Sequence, residues 1–217
     1  MNDRVRLVLW RHGQTPWNAE RRFQGQSDIP LDETGQAQAE RAARLLAGLR
    51  PDLIVSSDLS RAAGTAATLA RLTGLEVMLD KDLRERHGGR WEGLTDAEIR
   101  ARFPVEHANW DPPDGELTSV VAERVAAALH RTAGLLADTL LASDGRDGAS
   151  GLAVVVSHGA ALRLGMSRLL GMPDDLFSVL GPLSNCSWSV LARRRDRWRL
   201  LEHNAGTLPE PILSDDR

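Results

Sequence analysis

The sequence predicts an α/β fold: a three-layer α/β/α arrangement with a mostly parallel central sheet and a small cap over a ligand crevice. Three observations predict it. Short apolar runs at Val5–Trp10, Asp52–Ser56 and Leu152–Ser157 read as buried strands. Stretches with apolar residues at helical spacing separate them, and strand–helix alternation is the signature of a parallel sheet. The 217 residues, 42% hydrophobic and 26% charged, suffice for one core that carries a cap. The expected organisation is one domain, 1–217, with a cap insertion at about 86–118 and a loose tail at about 206–217.

The first strand, Val5–Trp10, is too short for a helix and ends in Arg11-His12-Gly13. Ligands of α/β proteins sit at strand ends. Gly13 permits a sharp turn and a close approach of backbone to ligand. Arg11 opposes a cation at His12 and favours an anion, above all a phosphate gripped in the guanidinium fork. Alone, the tripeptide fits a solvated loop equally well. From Gln14 to Gln26 the chain reads as loop, either wrapping an anionic site or forming ordinary surface. Asp32 caps a helix marked by Ala39, Ala42, Ala43, Leu46 and Leu49, which ends between Gly48 and Pro51. After the second strand a helix starts near Ser57 or Asp58, runs to about Thr73 and stops at Gly74. Arg61 falls in its first turn, where free N–H groups and the dipole favour anions. On its own, Arg61 reads better as a surface arginine.

Glu76–Leu79 reads as a short strand. Leu83–Gly93, dense in glycines and titratable groups, reads as irregular backbone near a ligand. Thr95 caps a helix to Phe103, Glu98 completes a capping box, and Pro104 breaks the helix. Pro104–Leu117 reads as a long loop, either a lid or an insertion. Ser119 to about Leu141 is a helix, followed by a flexible loop over 143–151. The strand Leu152–Ser157 ends in His158-Gly159, and a helix over Ala160–Leu170 is closed by Gly171 and Pro173. Asn185–Leu191 and Arg197–Glu202 read as a closing strand pair, with Arg193–Arg195 at a solvated hairpin tip.

Composition narrows the function. A net charge of −3 provides no overall basic field for nucleic acid. No stretch is long enough to cross a membrane, and Arg4, Arg6 and Arg11 interrupt the N-terminal apolar run, so a cytoplasmic location is expected. Cys186, the only cysteine, excludes an internal disulfide and a thiolate cluster, and reads as a structural buried thiol. The informative pattern is recurrence. Three buried strands lead into Arg11-His12, Arg61 and His158, and the carboxyl edge of a parallel sheet brings such residues to one crevice.

On these residues the chain resembles the histidine phosphatase superfamily, also called the phosphoglycerate mutase-like family, from roughly Val5 to Asn204. Arg11-His12-Gly13 is similar to the family's signature. Asn18, Arg22, Gln24 and Gly25 resemble its next block, Ser56 to Ala62 its arginine block, Leu83-Arg84-Glu85 with Trp91-Glu92-Gly93 its acid block, and Ser157-His158-Gly159 its final block. The resemblance implies that His12 takes the phosphoryl group on a ring nitrogen while its other nitrogen donates to a backbone carbonyl. It implies that Arg11, Arg61 and His158 hold the peripheral oxygens and that Asn18 and Gln24 add hydrogen bonds. Gly25 and Gly159 belong to the implied binding blocks. His87 either contacts substrate or is a simple exposed histidine. Glu85 is implied to protonate the leaving oxygen and then to activate water. Asp58 is expected to cap a helix and Glu92 to hydrogen-bond locally. Gly88 stands where many relatives carry a bulky apolar residue, which implies a looser wall near Glu85.

The implied reaction needs no metal and no cofactor, because arginines neutralise the phosphate. Trp91–Pro113 is shorter than the matching segment of cofactor-dependent phosphoglycerate mutases, which favours a phosphomonoesterase. The mutase reaction and a non-catalytic phosphate-binding module are the alternatives. The implied substrate is a small phosphorylated metabolite: a sugar phosphate or a phosphoglycerate derivative, glucosyl-3-phosphoglycerate among them. No nucleic-acid or membrane partner is implied. A homodimer, common among family members, is the assembly the resemblance allows, with the apolar C-terminal strands as its edge.

Overall fold

The computed structural model describes residues 5–142, 150–194 and 197–207. The elements run β1 (Val5–Arg11), α1 (Pro16–Ala19), α2 (Glu33–Gly48), β2 (Leu53–Ser56), α3 (Ser60–Thr73), β3 (Val77–Leu79), α4 (Asp96–Arg102), α5 (Pro104–Asn109), α6 (Thr118–Ala142), β4 (Gly151–Ser157), α7 (Gly159–Leu169), β5 (Trp188–Arg194) and β6 (Arg197–Ala205). The sheet order is β3-β2-β4-β1-β5-β6. β1, β2, β3 and β4 pair in parallel, and β5 pairs antiparallel with both β1 and β6. The expected three-layer α/β/α fold is therefore present.

Alternation along the strands builds two cores. Leu7, Leu9, Ala153 and Val155 face one way and pack with Val125, Leu129, Leu162 and Met166 of α6 and α7. Val8, Trp10, Val154 and Val156 face the other way and pack with Ala42, Leu46, Ala62 and Ala66 of α2 and α3. The alanines let the second helix pair lie close to the sheet. β4 is buried along its whole length, as expected of a central parallel strand.

Several elements differ from the sequence expectation, each for a local reason. The stretch after Gln14 is not all loop: Thr15 and Asn18 form a reciprocal capping box, and Pro16 at the first position starts the short α1. α3 begins at Ser60, after Leu59. Asp58 is not its cap, because its carboxylate pairs with Arg84 at 2.7 and 2.6 Å, while Asp28 accepts from the Ser60 N–H at 2.7 Å. Pro104 ends α4 but also opens α5, since proline suits a first helical turn. Asn185–Ser187 forms a turn and β5 starts only at Trp188. Cys186 there has φ 55°, in the left-handed region. A short 3₁₀ segment, Asp174–Val179, was not expected from the sequence. Residues 143–149, Arg195 and the tail from 208 lie outside the described residues.

Gly13 is needed for a packing reason. A Cβ there would meet the Gly35 carbonyl oxygen at 2.4 Å, and one on Gly35 would meet the Gln14 carbonyl oxygen at 2.0 Å. The structure thus gives Gly13 a close approach between two backbones. It seats the loop after β1 on the first turn of α2. Gly35→Ala is expected to lower stability by roughly 1–3 kcal/mol, an overpacking cost against unyielding backbone. Urea unfolding of the variant checks this, and an unchanged midpoint would refute the contact.

Candidate active site

The sheet's order and register make the site. β4 lies between β1 and β2, with Arg11 opposite Ser157 and Ser56 opposite Val156. The residues following each strand emerge side by side. His12 donates its N–H to the Ser157 carbonyl at 3.0 Å, and Ser57 donates to the Val156 carbonyl at 2.9 Å. The His12 and His158 rings stand 5.1 Å apart, centre to centre.

His12 is held from both sides. Its carbonyl accepts from the Cys186 N–H at 3.2 Å and from Asn185 Nδ2 at 3.1 Å. Its Nδ1 lies 2.7 Å from the Gly13 carbonyl oxygen. A carbonyl only accepts, so Nδ1 carries the proton and Nε2 keeps its lone pair. Burial, then the charges of Arg61 and Arg11, hold the His12 pKa well below 6.5. The ring is therefore neutral at neutral pH.

Arg61 is fully buried. Its Nη1 donates to the Ser27 carbonyl at 2.8 Å, its Nη2 to the Gly25 carbonyl at 2.7 Å and its Nε to His158 Nδ1 at 3.2 Å. None of these partners carries a negative charge. Burial lowers its pKa to about 10, which leaves it positive at neutral pH. The 25–27 loop is itself fixed by Glu92, whose carboxylate accepts from the Gln26, Ser27 and Gly88 N–H groups at 2.9, 2.9 and 3.0 Å. A Cβ on Gly25, at φ 53°, would meet that carboxylate at 2.1 Å. Arg11 donates through Nη1 to the Leu183 carbonyl at 2.5 Å.

Glu85 projects onto the start of α7. Its Oε2 accepts from the Ala160 N–H at 3.1 Å, and its Oε1 accepts from the Ala161 and Arg86 N–H groups at 2.9 and 2.8 Å. The helix terminus thereby fixes both carboxylate oxygens. Thr15 holds both amides: its hydroxyl donates to Gln24 Oε1 at 3.0 Å, and its N–H, with Asn185 Nδ2, donates to Asn18 Oδ1 at 3.2 and 3.3 Å. With their oxygens engaged, the two amides keep their NH₂ groups as the donors left to pair.

Arg11, His12, Asn18, Gln24, Gly25, Arg61 and Glu85 line one cleft of about 720 Å³, open solvent at its mouth included. Phe23, Arg86, Trp110 and Arg163 line it too. Three expected binding residues stand off it. His158 is buried, its Nδ1 accepting from Arg61 and its Nε2 donating to Ser57 Oγ at 2.9 Å, so both ring nitrogens are engaged by the protein. Gly159 opens α7, whose cleft-lining residues are Ala160, Arg163 and Leu164. His87 is exposed, its Nε2 3.7 Å from Glu92 Oε1, and its N–H donates to Glu116 at 2.8 Å. The wall near Glu85 is not loosened at Gly88 either: a Cβ there would meet the Phe23 ring at 2.3 Å, so that ring occupies the space. Cys186 is buried and its thiol is pushed up to about 12, the state of a structural thiol.

Sequence reasoning missed Thr15, Ser57, Trp110 and Arg163. Thr15 had a legible signal in its capping-box spacing to Asn18. Trp110 had none: it reaches the cleft because it ends α5 at φ 52° and packs on Trp91, with ring centres 5.2 Å apart. Among the described residues, no three His, Cys, Asp or Glu side chains group as a metal site, and no helix is long and apolar enough to cross a membrane.

A neutral histidine flanked by buried guanidiniums and faced by a helix-anchored carboxylate is equipped for phosphoryl transfer. The chain belongs to the histidine phosphatase superfamily (branch 1), which it matches over residues 7–206. Among its relatives is the glucosyl-3-phosphoglycerate phosphatase of Mycolicibacterium vanbaalenii, 40% identical over 92% of this chain and 94% of that protein. The probable phosphoglycerate mutase GpmB of Enterobacter sp. (strain 638) is 37% identical over 89% and 87%. The solved structure of a mycobacterial glucosyl-3-phosphoglycerate phosphatase in complex with VO3 is 39% identical, has a TM-score of 0.81, and covers 93% of this chain and 99% of its own.

The two buried imidazoles set a pH dependence of stability. Burial is the first cause that holds both His12 and His158 well below 6.5. In the unfolded chain they take up protons near the ordinary value, so below it the unfolded state binds more protons than the folded one. Their contribution is complete above about pH 6.5 and is lost as pH falls towards the folded-state pKa values, by up to about 1.4 kcal/mol per pH unit for each ring. Urea midpoints from about pH 7.5 to about pH 5 measure the slope. His158→Gln is expected to make it shallower, and an unchanged slope would refute the assignment.

Proposed function

We propose that this protein hydrolyses small phosphomonoesters through a phosphohistidine intermediate on His12, without a metal. One observation carries the reading: His12 is neutral, with its Nε2 lone pair available, beside the buried charges of Arg61 and Arg11. In the first step Nε2 attacks phosphorus as the bond to the leaving oxygen breaks, and Glu85 gives that oxygen its proton. In the second, Glu85 takes a proton from water, whose oxygen attacks phosphorus. The P–N bond breaks, and phosphate and neutral His12 are released. Arg11 and Arg61 offset charge on the peripheral oxygens while Asn18 and Gln24 donate to them. His158 acts through Arg61 as a positioning residue, because both of its nitrogens are engaged.

The cap of residues 86–118 contributes Arg86, Trp110 and Thr118 to the leaving-group side. Two aromatic faces, Phe23 and Trp110, suit the apolar face of a sugar ring. We take glucosyl-3-phosphoglycerate, after which the mycobacterial relatives are named, as the leading substrate.

Phosphate release from glucosyl-3-phosphoglycerate, sugar phosphates and p-nitrophenyl phosphate tests this. Turnover is expected to persist in EDTA and to vanish in His12→Ala. Arg61→Gln is expected to retain about 10⁻² to 10⁻³ of the rate, by analogy with a lost oxyanion donor. Phosphate release that survives in His12→Ala, or isomerisation of phosphoglycerate without net release, would overturn the proposal.

A further inference from the structure

Arg163 has no use in the chemistry described so far, yet it faces the cleft. It is carried by α7, whose cleft face is Ala160, Arg163 and Leu164. These positions lie three and four residues apart, on one helical face. The Ala160 N–H anchors Glu85 at 3.1 Å. Arg163 is therefore rooted about 4.5 Å further along the axis, and its side chain leans back toward that anchor. Glu85 serves the leaving oxygen, so Arg163 stands on the leaving-group side, beyond the reacting phosphate.

Its charge is uncommitted. Arg22 pairs with Glu20 at 2.6 Å. Arg86 gives Nε to the Glu116 carbonyl at 2.7 Å and Nη1 to the Trp110 carbonyl at 3.1 Å. Arg61 is held by two carbonyls and an imidazole. Among the described residues, Arg163 has no such partner, and its Nε is shielded from water without an acceptor. Arg163 lines the cleft without an acceptor from the protein, so its terminal nitrogens are left to pair with an anion of the ligand.

We propose that Arg163 binds a carboxylate on the leaving group, and so selects phosphate esters of hydroxy acids over phosphate esters of neutral alcohols. The inference rests on the phosphatase reading and identifies the residue that recognises its substrate class. A guanidinium grips a carboxylate through two parallel N–H bonds.

The test compares 3-phosphoglycerate with glycerol 3-phosphate, which share a skeleton and differ by a carboxylate against a hydroxymethyl group. Wild type is expected to favour the former in kcat/KM by about 10-fold or more, the scale of one charge-assisted contact. Arg163→Gln is expected to bring the ratio near one, chiefly through KM for 3-phosphoglycerate, and Arg163→Lys to restore part of it. Arg71→Gln, the same charge change on the far end of α3, should keep the wild-type ratio. A ratio unchanged in Arg163→Gln, or no preference in wild type, would overturn the inference. Calorimetric binding of the two esters to His12→Ala and to His12→Ala/Arg163→Gln reads the same discrimination without turnover. Equal affinities in the first would overturn the inference even if hydrolysis failed, while turnover that survives in His12→Ala would overturn the phosphohistidine mechanism alone.

Discussion

A buried guanidinium with no carboxylate in hydrogen-bond contact is the constraint around which this site is arranged. Arg61 is fully buried, and its protein partners are two carbonyl oxygens and an imidazole. Such a charge costs several kcal/mol to desolvate unless something compensates it. Carbonyl dipoles and the more distant carboxylates of Glu85, Asp28 and Glu92 compensate in part, and the proposed phosphate would add to them. Much of the surroundings serves this one group. The left-handed Gly25 turns its carbonyl inward, Glu92 ties down the 25–27 loop, and the helix start places the side chain at the tip of β2. The same charge helps keep His12 unprotonated. On the proposed mechanism, binding and nucleophilicity therefore share one electrostatic origin.

Organising a site at strand tips has a mechanical benefit. The central strands are buried on both faces and joined by continuous ladders, so the atoms just beyond them inherit the rigidity of the core. His12 is further clasped by the turn before β5, where Cys186 adopts a backbone conformation unusual for a side-chain-bearing residue. That local strain is tolerated because the turn also receives the Trp10 indole N–H, at the Cys186 carbonyl, 3.2 Å away.

How much of this was legible in the sequence follows from which interactions are local. β1 and β4 were read because their apolar runs are uninterrupted, and the Thr95–Glu98 capping box because its two members are three residues apart. The recurrence of candidate anion-site residues after buried strands was visible too, and the structure brings Arg11, His12 and Arg61 to one cleft. What escaped was set by partners distant in the chain. Asp58 reads as a cap until Arg84 claims it, and Gly13 reads as a ligand-approach glycine until Gly35 packs on it. Pro104 reads as a breaker because a proline that ends one helix and opens the next looks the same in sequence. Thr15, one turn before Asn18, was within reach of pattern reading and was passed over under the apparent irregularity of its loop.

The cleft is made from two sources of different character. One side comes from the sheet edge and from loops tied to it, whereas Arg86 and Trp110 come from a segment built on short helices and aromatic contacts. Changes in that segment leave the ladders of the sheet untouched. On the proposed hydrolysis, substitutions there change which alcohol fits the cleft and leave His12, Arg61 and Glu85 in place.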